Sequence, residues 1–294
     1  MKPNEASRTA EFNALFRAIE SASPRGKRLF EDELAHGFLG RLTFAYYVSR
    51  VPLIGRIIPL YIDWKWPGVR TSALGRTCLI DDQLRGAVND GIRQLVILGA
   101  GYDCRAYRLR GIERIRIFEL DHPSTLEVKK GRLKHLIGAI PQNVALVEVD
   151  FNHEDFLPAL EKAGFDRRKK TFFIWEGVVH YLTEQAVDMT LRSIRSLSAH
   201  GSRLTFTYIH RGLLDGTVIF GDIGRVPVTL QKSGESWRFG LYPEELPSYL
   251  HDRGFSLIRD TGSLEYRSHY LGNTRRNLRG FEFYRVALAE AETI

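Results

Sequence analysis

The chain has 294 residues, 44% of them hydrophobic, enough to bury a large core in one α/β domain with an appendage rather than in two independent domains. Its two cysteines, Cys78 and Cys104, stand in no metal-ligand spacing and predict reduced thiols in a cytoplasmic protein. The net charge of +7 is scattered, with short clusters only at 167–170 and 275–276. No helix-turn-helix, zinc-finger or aromatic ribonucleoprotein signature accompanies it, so no nucleic-acid partner is expected.

The first twenty residues are charged throughout and predict no secretory leader. Helices are expected at about 7–21 and 38–50. The second is rich in aromatics, Phe38, Phe44, Tyr46 and Tyr47, and Tyr61, Trp64 and Trp66 follow it. Any one of these aromatics reads first as core. As a group they read as a lid over the carboxyl edge of a sheet, which assigns 1–75 to an N-terminal helical lid and 76–294 to the main domain. The longest apolar segment, 51–62, is interrupted by Pro52, Arg56 and Pro59 and is too short to span a bilayer, so no membrane partner is expected.

Apolar runs then predict strands near 94–99, 115–120, 144–149, 171–176 and 203–209 with helices between them, the alternation of a parallel sheet. The helix after the second strand starts at Pro123 and repeats Leu126, Leu133, Ile137 and Ile140 on one face. Another starts after the N-cap Thr183, with Glu184 in its first turn and Val187, Leu191, Ile194 and Leu197 facing the core. A late helix is expected from Pro243 to Gly254. Strands at 256–260 and 280–288 follow, joined by a loop over 262–279.

The first strand ends in Gly99-Ala-Gly-Tyr-Asp103 and the second in Glu119-Leu-Asp121. In a doubly wound sheet, a glycine turn followed about twenty residues later by an acid describes a nucleoside site, the acid bonding ribose hydroxyls. The third glycine that grips a pyrophosphate is missing, since Cys104 and Arg105 stand there. That weakens a nicotinamide dinucleotide and favours a nucleoside without phosphates, such as S-adenosylmethionine. Taken alone, the same residues also suit an ordinary strand-to-helix turn.

Four segments, Gly99-Ala-Gly-Tyr-Asp-Cys-Arg-Ala-Tyr-Arg108, Phe118-Glu-Leu-Asp-His-Pro123, Glu148-Val-Asp-Phe151 and Trp175-Glu-Gly-Val-Val-His-Tyr-Leu182, together resemble the leucine carboxyl methyltransferase family. Arg76-Thr-x-x-x-Asp-Asp82 resembles its arginine motif, Arg25-x-x-x-Leu-Phe-Glu-Asp-Glu-Leu-Ala35 its N-terminal signature, and Trp237-Arg-Phe-Gly-Leu-Tyr-Pro-Glu-Glu-Leu246 the segment before its late helix. The resemblance implies a Rossmann-like class I fold: a mostly parallel seven-stranded sheet, closed by an antiparallel pair, with helices on both faces. It also implies an S-adenosyl-L-methionine-dependent O-methyltransferase of the bacterial small-molecule branch.

Carried over residue by residue, the resemblance gives Arg76 the methionyl carboxylate, Gly99 and Gly101 close backbone approach, and Asp121 the ribose, with Glu119 in reserve. Asp150 and Phe151 would take the adenine and Glu176 the cofactor's amino end. Methyl transfer needs orientation and desolvation rather than a triad. A carboxylate acceptor needs no base, whereas a hydroxyl or phenol would call on His180 or His210. Tyr181, after Glu176, and Tyr208, His210, Trp237 and Arg238, in a specificity insert near 208–242, are the acceptor-side candidates, with Arg238 able to hold an acid. Cys104 stands where the family commonly has serine or threonine, and 208–231 matches nothing specific. No metal is expected, the acceptor is a small organic molecule, and a catalytically silent methyltransferase-like binding protein is the competing reading.

Overall fold

The computed structural model describes residues 8–52, 55–151, 156–221, 237–272 and 280–293. Seven strands, β1 Gln94–Leu98, β2 Arg116–Asp121, β3 Val144–Glu148, β4 Thr171–Trp175, β5 Arg203–Ile209, β6 Phe255–Gly262 and β7 Tyr284–Ala291, form one sheet in the order β3-β2-β1-β4-β5-β7-β6. β1 to β5 pair in parallel, and β7 runs antiparallel to both β5 and β6. The first two crossovers go one way from β1 and the next the other, so the topological switch point lies between β1 and β4, where such sheets bind ligands.

Both faces of the sheet are covered, which is why its central strands read as unbroken apolar runs. On one face Val96, Leu98, Phe118, Leu120, Phe173 and Trp175 meet Val187, Leu191, Ile194 and Leu197 of the helix Glu184–Leu197. That helix is capped as expected, the Thr183 hydroxyl accepting the Ala186 N–H at 3.2 Å. On the other face Leu95, Ile97, Ile117, Phe172 and Ile174 meet Ile80, Leu84 and Ala87 of a long helix, Val69–Asn89. Both cysteines, Cys78 and Cys104, are buried free thiols. The helix after β2, Pro123–Ile137, buries Leu126 and Leu133, while Ile137 ends it exposed.

In chain order the helices are α1 Arg8–Ser21, α2 Thr43–Ser49, α3 Ile57–Lys65, α4 Val69–Asn89, α5 Arg105–Arg108, α6 Pro123–Ile137, α7 Leu157–Lys162, α8 Glu184–Leu197, α9 Arg211–Leu214, α10 Leu246–His251 and α11 Ser263–Leu271. The helix expected at 38–50 is broken at its start: short 3-10 turns lead through Gly40, whose φ of +50° suits glycine, into α2. The expected division at residue 75 falls inside α4, which runs unbroken from the N-terminal helices onto the sheet. Two late expectations need correction. The segment after β6 is helix α11, not loop, held to α4 by a 2.6 Å bond between the Tyr266 and Ser72 hydroxyls. The last strand starts at Tyr284, because Gly280 and Phe281 both have positive φ and turn the chain first.

Candidate active site

At the carboxyl end of β1 the backbone turns through Gly99 and Gly101, with φ of +65° and +44°. A side chain at 99 would collide with Val178, whose Cγ2 lies 2.4 Å from where the Cβ would sit, so glycine here serves both conformation and close packing. Asp121, at the end of β2, ties the turn in place: its Oδ2 accepts the Gly101 N–H at 2.6 Å and its Oδ1 the His122 N–H at 2.7 Å. Burial lifts this carboxyl above the usual range, and the two N–H groups oppose the lift. Glu119 lies two residues deeper on the same face and is fully buried. It takes the Lys129 ammonium at 2.9 Å and the Tyr107 hydroxyl at 2.8 Å. Asp150 and Phe151 follow β3, half-buried, with the Phe151 ring 6.0 Å from that of Phe156.

Beside the turn, charges from four distant segments meet. Asp32, from the loop after α1, pairs with Arg17 at 2.9 Å and Arg108 at 3.5 Å. Arg108 reaches Asp81 of α4 at 2.7 Å, and Asp81 takes Arg105 at 2.8 Å. Arg105 also holds Asp103 and, at 2.7 Å, Glu176 beyond β4. Glu176 in turn takes Arg76 of α4 at 2.6 Å. Four arginines and four carboxylates thus form one continuous, charge-balanced chain with little exposure to water. Burial would raise the Glu176 carboxyl, but Arg105 and Arg76 outweigh it and hold it below the usual range. The expected site residues Arg76 and Glu176 are therefore direct partners. Arg17, Asp32, Asp81, Asp103, Arg105 and Arg108 had no assigned role. The available signal was that Asp32, Asp81, Asp103, Arg105 and Arg108 each lie within a recognised motif, whereas Arg17 lies in none.

The opposite wall is aromatic. The Arg76 guanidinium lies over the Tyr284 ring, 4.9 Å from its centre, and the Tyr284 hydroxyl meets Thr207 at 3.0 Å. His180 is buried, edge-on to Tyr284 and to Trp237 at 5.6 Å each, with Tyr181 beside it at 4.2 Å. Burial, with the nearby Arg76 charge, pushes the His180 imidazole down to about 3. His210 caps α9, its Nδ1 accepting the Gly212 N–H at 3.0 Å, and burial lowers its pKa too.

Two acceptor-side candidates fall elsewhere. Tyr208 is fully buried on the other face of β5 from Thr207. It donates to Asp260 at 2.8 Å and accepts from Arg285 at 3.1 Å, so it does not join this cluster. Arg238 attaches to the site through its backbone, donating to the His180 carbonyl at 2.7 Å. Its side chain is exposed along a cavity of about 100 Å³ lined also by Glu184, Arg211, Asp215 and Phe239. Among the described residues, no three His, Cys, Asp or Glu side chains are grouped to hold a metal, and no helix is long and apolar enough to cross a membrane.

A seven-stranded sheet of this order, with a glycine turn and an acid at its switch point, defines a class I methyltransferase fold. A Thermobifida fusca crystal structure provisionally described as a methyltransferase shares this fold, at a TM-score of 0.60, 15% identity and coverage of 97% of this chain and 98% of that one. A Streptomyces avermitilis structure follows at 0.58, also 15% identical, covering 93% and 99%. The leucine carboxyl methyltransferase family profile matches residues 10–195, and the chain belongs to that family of S-adenosylmethionine-dependent methyltransferases. Relatives provisionally named S-adenosyl-L-methionine-dependent methyltransferases are 36% identical. The one from Streptomyces coelicolor aligns over 73% of both chains, and the one from Mycolicibacterium paratuberculosis over 67% of this chain and 63% of its own length.

Proposed function

We propose that this chain moves the methyl group of S-adenosylmethionine onto an oxygen of a small organic acid, most readily a carboxylate oxygen, without a metal. Its residues fit the cofactor. Asp121 is anchored by two backbone N–H groups beside the glycine turn, and Glu176 is kept ionised where a substituted ammonium would be favoured. In this reading the terminal nitrogens of Arg76 take the methionyl carboxylate, its Nε being engaged by Glu176. Gly99 and Gly101 admit the nucleoside, Asp121 takes ribose hydroxyls, and Asp150 with Phe151 borders the adenine. When bound, the cofactor would supply an activated sulfonium methyl; an acceptor oxygen held in line would bond to that carbon as the C–S bond breaks and its electron pair returns to sulfur, with S-adenosylhomocysteine as the leaving group.

The observation favouring a carboxylate acceptor is the state of the two histidines. His180 is a very weak base at a pKa of about 3, and His210 spends its Nδ1 lone pair on a helix cap. A carboxylate is already ionised at neutral pH and asks for neither. The aromatic wall of Trp237, Tyr181 and Tyr284 would exclude water around it, whereas the Arg238 side chain lies along the neighbouring cavity.

Incubation with radiolabelled S-adenosylmethionine and a metabolite extract, with and without chelator, tests both parts. The expected product forms with chelator present and releases labelled methanol in mild alkali, as an ester does. An alkali-stable label moves the acceptor to a hydroxyl or phenol, loss of turnover with chelator restored by magnesium overturns metal independence, and binding without transfer marks a silent binding protein.

A further inference from the structure

The N-terminal helices turn a strongly apolar surface to solvent, and its composition differs from the rest of the chain. On α3, Ile57, Leu60, Tyr61 and Trp64 follow the spacing i, i+3, i+4, i+7 and are all exposed, Leu60 by 63% and Trp64 by 69%. The opposite side of the same helix is the packed one: Ile62 is buried and Ile58 lies against the N-terminal core. On α2, Phe44, Tyr47 and the following Val51 repeat the pattern, Phe44 being 79% exposed, and α2 and α3 are in contact. Scattered exposed apolar residues are ordinary, but six large ones on two touching helices, with Val51 just past the first, form a patch of the kind that marks an interaction surface.

Charge selects the occupant. From residue 40 to residue 66 the chain carries four cations, Arg41, Arg50, Arg56 and Lys65, and one acid, Asp63. Asp63 is turned inward and held by Arg70 through two bonds, at 3.0 and 2.5 Å, which removes its charge from the outer face. Arg41, Arg50 and Arg56 are exposed, and the Lys65 ammonium lies 5.4 Å from the centre of the Tyr61 ring. A two-fold pairing of this face with a second copy would set these cations against themselves. Glu31 and Glu33 share a cavity with Arg50 at one edge, but the segment 40–66 itself turns only cations outward. An apolar strip with aromatic rings and such cations instead matches the boundary of an anionic bilayer, where rings enter the headgroup layer and cations meet the phosphates.

We propose that the exposed face of α2 and α3 docks peripherally on anionic lipid surfaces. The surface lies outside the residues assigned to cofactor and acceptor, so the inference stands independently of the methyl-transfer reading. It is tested by flotation of the full chain with phosphatidylcholine vesicles containing phosphatidylserine, and with phosphatidylcholine alone. The chain should float with the first and stay behind with the second, and raising the salt should release it.

Because Leu60, Trp64 and Arg56 are exposed and Lys65 is only half-buried at the surface, L60S/W64S and R56E/K65E should keep the native circular dichroism and melting temperature. The first pair should lower vesicle affinity at least about tenfold. The second should lower it about fivefold or more for each cation replaced. Absence of flotation with the anionic vesicles overturns the proposal. So does equal flotation with both compositions, or undiminished binding by both variants. A sedimentation velocity series showing a dimer that W64S abolishes would assign the face to a second copy and likewise overturn it.

Discussion

Arg76 stands between two walls built on opposite physical principles. On one side Glu176 begins a buried chain of ion pairs that runs through Arg105, Asp81 and Arg108 to Asp32 and Arg17. On the other, Tyr284, His180 and Trp237 form an aromatic surface in which a histidine is kept neutral. The ionic wall draws on α1, the loop after it, α4, the glycine turn and the end of β4. Its members are satisfied only when all of these segments are in register. That makes it a device for fixing geometry, since a buried ion pair contributes little net stability yet is costly to break. The aromatic wall has no such mutual dependence, and its members past residue 195 lie outside the stretch matched by the family profile. A shared cofactor geometry on one wall and an individual acceptor on the other would divide in this way.

The sharpest way to break the comparison is to remove one carboxylate from the middle of the ionic wall. Asp81→Ala leaves Arg105 and Arg108 both short of a partner and should cost about 3–5 kcal/mol in denaturant unfolding. A loss under about 1 kcal/mol would show that water or neighbours replace the pair, as at a surface site. Next, Arg76→Ala and Asp121→Ala should each weaken S-adenosylmethionine binding by about 1–3 kcal/mol in calorimetry. Unchanged affinity in both would remove them from the cofactor site.

The aromatic wall makes a pH prediction. The His180 pKa of about 3 lies below the unfolded value near 6.5, so between these limits the unfolded chain binds the extra proton and stability falls as the pH drops. His180→Phe should remove up to about 1.4 kcal/mol per pH unit of that acid sensitivity across this window, read as the difference between two stability-pH curves. Parallel curves would mean that His180 is protonated as readily in the folded state as in the unfolded chain. Smallest of all, hydrogen exchange over 38–52 and 55–66 should slow when cofactor and acceptor are both bound, if the N-terminal helices close as a lid. Identical exchange would leave them a fixed cover.

Much of the fold is legible in the sequence, for identifiable reasons. The five parallel strands announce themselves because burial on both faces leaves no room for polar alternation, and α8 because its cap and one-sided face coincide. Helix α11 was not legible because its buried face uses Tyr266 and Arg267, whose polar ends bond Ser72 and the Gly280 carbonyl rather than forming an apolar stripe. Tyr208 stays apart from the Arg76 cluster by strand parity: one residue along β5 from Thr207, it faces the opposite side of the sheet. The ionic wall was half visible. Most of its charges lie in recognisable motifs, but pairing across as many as 100 positions of sequence, as between Arg76 and Glu176, is a property of topology and not of local pattern.

The two thiols have a practical consequence. Desolvation lifts Cys78 to about 12 and Cys104 higher still, so at neutral pH almost no thiolate is present and neither sulfur is within reach of a reagent. The natural chain is thus a silent background for maleimide chemistry. A single cysteine introduced at an exposed position such as Thr43 would carry a fluorophore alone, and the N-terminal helices could be followed optically in an otherwise unaltered protein.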